Sequence, residues 1–554
     1  MHQAFPYRVS FVGCPAQSDV PWTREHLQWL ANHGFNTVQL NIAWGCRPGD
    51  EPLNLEDVVD CTDMQVRQSL PPASNVSPER VDRRRDDLRQ RIALCRGLGL
   101  RTIFHFGAPY NQHARHGDTP PNCLMDEAVR TMYCGMIERF NTQFPGVDDL
   151  LVYTYDQDAW LCSEFGDCPR CSGVPLHERV SDFVNHLARA WHALHPDGRL
   201  WWEPWELSAG QVLSCIDRLD GKSVGLSLHS NVAEVMATMP VDRWLKNSVA
   251  AAKRAGLPVI VEHFLGGPTE EVEPYTHLSW PAETWRGVRA IADLSPDGIK
   301  EYYGTVPGRE DVNLRMTSLL LENPEIALDA ALARLAEPYG ACHDSIVRFW
   351  HATSTAMALF PWDASWFIRE IGKSDPRHGM DAAFIRGQQA HTPSWESSRR
   401  AVFMFTDSRQ PDPWALEDVQ LRCRLCADEL QRAIDIGGPL PAKLASPLAG
   451  PLTKQLEELA SWRQRALSYA CHLRETNLCT ILRRQLEQGR TPSPHVLDEL
   501  RGVLREDMRN QHSEEPCRSA LNLLDGDLEA FLERYFLVRG EDQMSKGVFT
   551  TTSK

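Results

Sequence analysis

The sequence predicts an α/β protein: a (β/α)8 (TIM) barrel over residues 1–310, a mostly α-helical domain over 311–540, and a flexible tail over 541–554. Three observations predict it. From residue 7 to about 305, short β-rich runs alternate with amphipathic helical stretches, the pattern of a parallel sheet wrapped by helices. Eight such runs joined by helical connections over roughly 300 residues match the size of such a barrel. Beyond residue 310 the strand signal fades and helical periodicity takes over.

The strand runs fall at 7–13, 37–42, 102–106, 150–155, 200–205, 223–228, 259–262 and 298–302. Helical stretches lie between them at 23–33, 84–97, 126–140, 177–195 and 241–255, the first capped by Thr23 and ended near Gly34. The first strand-to-helix turn, VGCPAQSD, lacks a Gly-x-Gly-x-x-Gly fingerprint, which removes the case for a dinucleotide-binding open sheet and leaves no organic cofactor. In the C-terminal half, helical periodicity covers 326–335, 344–359, 416–434, 452–488 and 523–537, and GGPLPAKLASPLAGP at 437–451 reads as a linker or long turn.

Composition narrows the function. With 58 Lys and Arg against 74 Asp and Glu among 554 residues, the formal charge is −16, which disfavours nucleic acid as a partner. Hydrophobic residues at 42% and charged residues at 24% are globular proportions, enough for a sizeable core. The opening MHQAFPYRVSFVG lacks the pattern of a signal peptide and no 18-residue apolar run follows, so the expectation is a cytoplasmic protein with no membrane partner. The 16 Cys are too sparse for a disulfide scaffold.

In such a barrel the chemistry gathers at the C-terminal ends of the strands. Here those ends carry His105, Asp156-Gln157-Asp158, Glu203, Trp205-Glu206, His229, Glu262-His263 and Glu301-Tyr302-Tyr303. A single carboxylate after a strand is ordinarily a helix cap. Carboxylates at four strand ends converge on one mouth and repel each other unless protons, a metal or a substrate balance them. Asp156 and Asp158 are two apart, so in extended chain they share a face. With Glu262 across the mouth they form the arrangement glycoside hydrolysis needs, one group protonated for the leaving oxygen and one ionised to attack or to activate water.

The 17 Trp agree with a sugar cleft. WWEPWE sets Trp201, Trp202 and Trp205 around Glu203 and Glu206, while Trp44 and Trp160 also follow strands. Indole faces pack on sugar rings, although any one of them equally fills a core. The expected substrate-binding set is Gln157, His105, Trp205, Glu206, His229, His263, Glu301, Tyr303 and Trp44. Cys162, Cys168 and Cys171 in WLCSEFGDCPRCSG have the knuckle spacing of a structural zinc site, with Cys123 or Cys46 as the fourth ligand. A redox Cys-x-x-Cys pair and solitary thiols are the competing readings.

These residues resemble the large (β/α)8 clan of glycoside hydrolases that includes the family 42 β-galactosidases. The resemblance covers about residues 7–305. It implies that Gln157-Asp158 stands for the family's Asn-Glu acid/base pair after strand four, with Asp158 as the acid. Glu262 in VIVEHF stands for the nucleophile after strand seven, and the Cys-rich segment for a zinc loop behind the acid. The segment DGIKEYYGTVPGREDVN with the helices after it is similar to the tails of α-glucuronidases and hexosaminidase-like enzymes. Under the latter likeness Asp156 and Asp158 would act with the substrate's own acetamido group, and Glu262 would bind substrate.

Two other functions compete with a glycosidase. His105, Glu203, His229, Glu262, His263 and Glu301 are also the donor types of a metal-dependent sugar isomerase. A non-catalytic carbohydrate-binding barrel is the third reading. The helical region carries no catalytic motif, and appendages of this size commonly mediate homodimers.

Overall fold

A computed structural model describes residues 5–13, 20–41, 54–61, 64, 78–111, 120–154, 161–204, 207, 209–229, 241, 243–266, 269, 272–306, 308, 311–362, 413–510 and 514–536. The described residues of 1–270 and 281–337 form one compact unit, and those of 271–280, 338–392 and 400–554 form a second. No described helix is long and apolar enough to cross a membrane.

The first unit is built on eight parallel strands closed into a barrel in sequence order. They are β1 (Tyr7–Phe11), β2 (Thr37–Gln39), β3 (Arg101–Gly107), β4 (Asp149–Tyr153), β5 (Leu200–Glu203), β6 (Val224–His229), β7 (Val259–His263) and β8 (Gly298–Glu301). Each strand coincides with an expected run to within two residues at its start. Around them run α1 (Arg24–Asn32), α2 (Leu55–Val58), α3 (Pro78–Arg96), α4 (Glu127–Gln143), α5 (Leu176–Leu194), α6 (Ala209–Ile216), α7 (Arg243–Arg254), α8 (Pro281–Asp293), α9 (Val312–Glu322) and α10 (Leu328–Ala336). Short polar side chains start several of these helices. Thr23 accepts from the His26 N–H, Asp126 from Ala128 and Asp311 from Leu314, each satisfying a donor the helix itself cannot.

Because side chains alternate across a strand, every second residue points into the barrel. Val9, Ile103, Leu151, Trp201 and Ile260 make one such buried layer, and Tyr7 packs against it. Burying side chains of this size stabilises by about 1.5–3 kcal/mol each. Trp201 fits because its register partner on β6 is Gly225, where an added Cβ would lie 2.3 Å from the indole ring. Below this layer the Arg101 guanidinium pairs with buried Asp149 at 3.0 Å.

The second unit is helical. It holds α11 (His343–Leu359), α12 (Pro413–Gly437), α13 (Ser446–Glu487), α14 (Pro494–Met508), α15 (Glu515–Gly526) and α16 (Leu528–Phe536). Leu478, Leu482, Leu500, Leu504, Leu524 and Phe531 belong to one core joining the last four, and Phe360, Trp362, Trp462 and Tyr469 form an aromatic cluster. Glu458 of α13 accepts the backbone N–H groups of Thr276 and His277, so 272–280 packs as part of this unit. Two expectations change here. The Pro- and Gly-rich stretch at 437–451 is only partly a turn, because α13 begins at Ser446 with Pro in its first turn, where a missing N–H costs nothing. The single helix expected over 523–537 is two, broken at Asp527, whose side chain accepts from the Ala530 N–H and starts the second.

Candidate active site at the barrel mouth

One step beyond the apolar layer, the same alternation turns polar. Ile103 is followed inward by His105, Leu151 by Tyr153, Trp201 by Glu203 and Ile260 by Glu262, while Ser227 with His229 on β6 and Lys300 on β8 complete the ring. Glu203 and Glu262 are 1% and 0% exposed and His229 5%. This cluster of charge is therefore settled by internal partners and not by water.

Glu262 is the most heavily partnered. Lys300, its register partner on β8, places Nζ 3.1 Å from Oε2, and the Ser227 hydroxyl donates to Oε1. His229 Nδ1 stands 3.5 Å from Oε2, and a Glu203 carboxylate oxygen lies within 4.8 Å. Burial alone would raise its pKa. The Lys300 charge first, then His229 and the hydrogen bonds, overcome that and hold the carboxyl down at about 2. Glu262 is ionised at any ordinary pH.

Glu203 sits between two imidazoles. His105 Nε2 is 3.1 Å from Oε2 and His229 Nε2 is 4.0 Å from Oε1. Gln39 fixes the first of them: its amide nitrogen donates to the Asn41 carbonyl at 2.7 Å and approaches His105 Nδ1 at 3.5 Å. Asn41 in turn clasps the His105 backbone, donating to its carbonyl at 2.7 Å and accepting its N–H at 2.9 Å. Glu203, His229 and Glu262 bring donor atoms within 4.8 Å of one another. The cation that meets Glu262 there is the Lys300 ammonium.

Of the residues expected at the mouth, His105, His229 and Glu262 come together. Three others do not, because alternation turns them outward. His263 faces α8, where Gly287 makes room for it: a Cβ there would lie 2.3 Å from Nε2. Burial lowers its pKa to about 4, so it is a neutral packing residue. Glu301 accepts the backbone N–H groups of Leu265 and Tyr303 at 2.8 Å each and so pins the turns after β7 and β8. Tyr303 is 1% exposed and packs beside Phe264 and Tyr302. Trp201 and Trp202 are likewise fully buried, the latter donating to Thr154 Oγ1 at 2.9 Å. Asp156, Gln157, Asp158, Trp160, Trp205, Glu206, Trp44 and Cys46 lie outside the described residues.

Sequence reasoning missed Lys300, Ser227 and the pairing of Glu203 with Glu262. The signal for Lys300 was present, since Lys at the inward position of an otherwise apolar strand demands a buried anion opposite.

A second cluster lies in the loops after β3 and β4. Cys123, Cys162, Cys168 and Cys171 are all buried, with sulfurs within 4.8 Å of one another, Cys123 to Cys171 at 3.3 Å and Cys168 to Cys123 at 3.8 Å. None is in a disulfide. The Cys168–Cys171 knuckle is a tight turn, Cys171 N–H to Cys168 carbonyl at 3.1 Å. Thiol hydrogen bonds with Cys123 and Cys162 pull Cys171 toward the thiolate, and those with Cys123 and Cys171 push Cys162 up. Tetrahedral coordination with bonds of about 2.3 Å requires sulfurs roughly 3.8 Å apart, so this quartet could hold a metal ion.

No protein-family model and no curated protein matches the chain. Solved structures do. The fold resembles a GH138 enzyme targeting pectin rhamnogalacturonan II, with a TM-score of 0.60 at 11% identity over 94% of this chain and 62% of that one. This chain thus spans less than two thirds of that enzyme. An O-GlcNAc hydrolase variant from Thermobaculum terrenum matches at a TM-score of 0.43 and 12% identity, over 96% of each chain. A glycoside hydrolase family 5 enzyme from Prevotella bryantii B14 matches at 0.37 and 10%, over 58% of this chain and 96% of that one. The likeness to the GH138 enzyme is one of fold.

Proposed function

We propose that this protein is a glycoside hydrolase acting through carboxylates at the barrel mouth. The observation that carries the reading is Glu262, a buried carboxylate at the end of β7 held ionised by Lys300 at 3.1 Å. It supplies the negative charge that attacks the anomeric carbon or draws a proton from water, while Asp158, which follows β4 in sequence two residues after Asp156, gives the proton to the departing oxygen. Lys300 weighs against the sugar-isomerase alternative, since its ammonium already stands where a divalent ion bridging to Glu262 would be needed.

The substrate class is carbohydrate. A panel of chromogenic glycosides, uronic and sialic acid derivatives included, tests the reading on the full chain. Glu262→Ala and Asp158→Ala each lower turnover by several orders of magnitude because they remove the reacting groups, and since Glu262→Ala also leaves the buried Lys300 ammonium unpaired, circular dichroism accompanies its assay. Near-normal turnover in either variant, or activity that chelator abolishes and Mg²⁺ restores, refutes these roles.

The four cysteines are proposed as a structural zinc site. The ion would tie the described segment 161–171 after β4 to the segment around Cys123 after β3. It takes no part in the chemistry.

A further inference from the structure

We propose that Arg179 is the counter-ion of the cysteine quartet: its guanidinium balances the negative charge that the four sulfurs carry once they hold a divalent ion. The inference rests on the zinc reading of the quartet and not on the hydrolase reading.

Arg179 lies near the start of α5 and is 1% exposed. Its Nε donates to the Val174 carbonyl and its Nη1 to the Cys162 carbonyl, each at 2.9 Å. Val174 in turn donates its N–H to the Cys171 carbonyl at 3.0 Å. The guanidinium is thus tied directly to one ligand segment, at Cys162, and through Val174 to another, at Cys171.

Carbonyl oxygens satisfy N–H groups but bring no net charge. Among the described residues Arg179 has no carboxylate partner, and its Nη2 is buried without a hydrogen bond. The other arginines of these loops differ, since Arg170 pairs with Asp126 at 3.1 Å and Arg130 with Asp182 at 2.7 Å. Arginine is seldom fully buried without an anion, because an unmatched charge loses its hydration and gains nothing in return. The position sharpens the need, for the start of a helix already gathers positive charge from its own N–H groups.

The quartet supplies the missing anion. Four thiolates around a divalent ion keep a net charge of about −2. All four cysteines are buried, so water screens that charge poorly and a protein cation must meet it. Cys171, drawn toward the thiolate first by hydrogen bonds with Cys123 and Cys162, feels the Arg179 charge in the same direction. Four protonated thiols would leave Arg179 unmatched, so the arrangement suits the metal-loaded form.

The test uses the full chain under reductant, loaded with zinc or cadmium or stripped by chelator. Arg179→Gln keeps N–H donors but no charge, and Arg179→Lys keeps the charge but not the planar fork. In chelator competition, with cadmium–thiolate absorption as a second readout, Arg179→Gln should hold metal about 10–100-fold more weakly, while Arg179→Lys stays near wild type. Thermal unfolding gives a readout that a mere tie between carbonyls would not move. In the loaded protein Arg179→Gln should lower Tm, whereas in the metal-free protein it should leave Tm unchanged or raise it, because an unmatched buried charge has gone.

Wild-type metal retention in Arg179→Gln overturns the proposal. So does a Tm loss of equal size in the loaded and metal-free forms, which marks a structural tie. Should Arg179→Gln fail to fold, Arg179→Lys decides alone: retention near wild type supports the counter-ion, and retention weakened by about 10-fold or more overturns it. A wild-type chain that binds neither zinc nor cadmium defeats the zinc reading itself, an outcome distinct from a loaded wild type whose variants are unaffected.

Discussion

Removing the Lys300 ammonium strands the buried Glu262 carboxylate without its nearest cation, and an uncompensated buried charge costs about 3–5 kcal/mol. Lys300→Met should therefore lower unfolding free energy at pH 7 by about that amount and let Glu262 take up a proton at higher pH. The sign is fixed by the depressed pKa. Held at about 2 against an ordinary 4.5, Glu262 stabilises the fold above pH 4.5 and loses that contribution as pH falls toward 2. In Lys300→Met this acid-side decline should shrink, and the acid limb of kcat/KM should rise. Denaturant titrations across pH, with unchanged curves, would dismiss the pairing. At this scale the sequence showed which residues end the strands but not which face they take. Glu262 and His263 are neighbours, yet one enters the mouth and the other packs under α8, and only the register decides that.

Two loops meet at the cysteine quartet. Cys123 precedes α4 and the other three follow β4, so one ion would cross-link segments about 40 residues apart in sequence and leave the barrel strands untouched. Purified protein should contain about one zinc per chain, and Cys168→Ser should lose most of it. Cadmium exchange, read by thiolate charge-transfer absorption, checks the ligands without reference to activity. Wild type free of metal, or Cys168→Ser with full zinc, would reject the site. The Cys spacing was readable, and so were the eight strands, because parallel barrel strands are near-continuous apolar runs. Helices were less so. Ala209–Ile216 spans only 8 residues, and Pro494–Met508 follows a polar Pro-rich stretch that hides its start. Short length and Pro at the first turn both erase the periodic signal.

Across the whole chain, a few buried ionisable groups set the pH at which the fold is most stable, and they act in opposite directions. His26, bonded through Nε2 to Thr305 Oγ1 at 3.0 Å, and His263 against Gly287 are both lowered to about 4, first by burial. Between pH 6.5 and 4 the unfolded chain binds protons that these folded histidines refuse, so stability falls as pH drops through that window. Glu301 behaves the other way. Burial raises it to about 8 despite the backbone N–H groups it accepts, with Asp311 adding to the rise. Between 4.5 and 8 the folded chain holds a proton the unfolded one has lost, so its contribution declines as pH rises. Of the groups pushed furthest, two histidines stand against one carboxyl, so stability should climb from pH 4.5 to about 6.5 and then fall toward 8, with Asp57 and Asp149, also raised by burial, making the climb shallower. Urea midpoints measured in steps across that range trace the maximum. His263→Gln should weaken the climb, and Glu301→Gln should flatten the fall above 6.5. A Glu301→Gln variant that keeps the wild-type decline from 6.5 to 8 would show that the carboxyl is ionised in the folded state and that its backbone donors outweigh its burial.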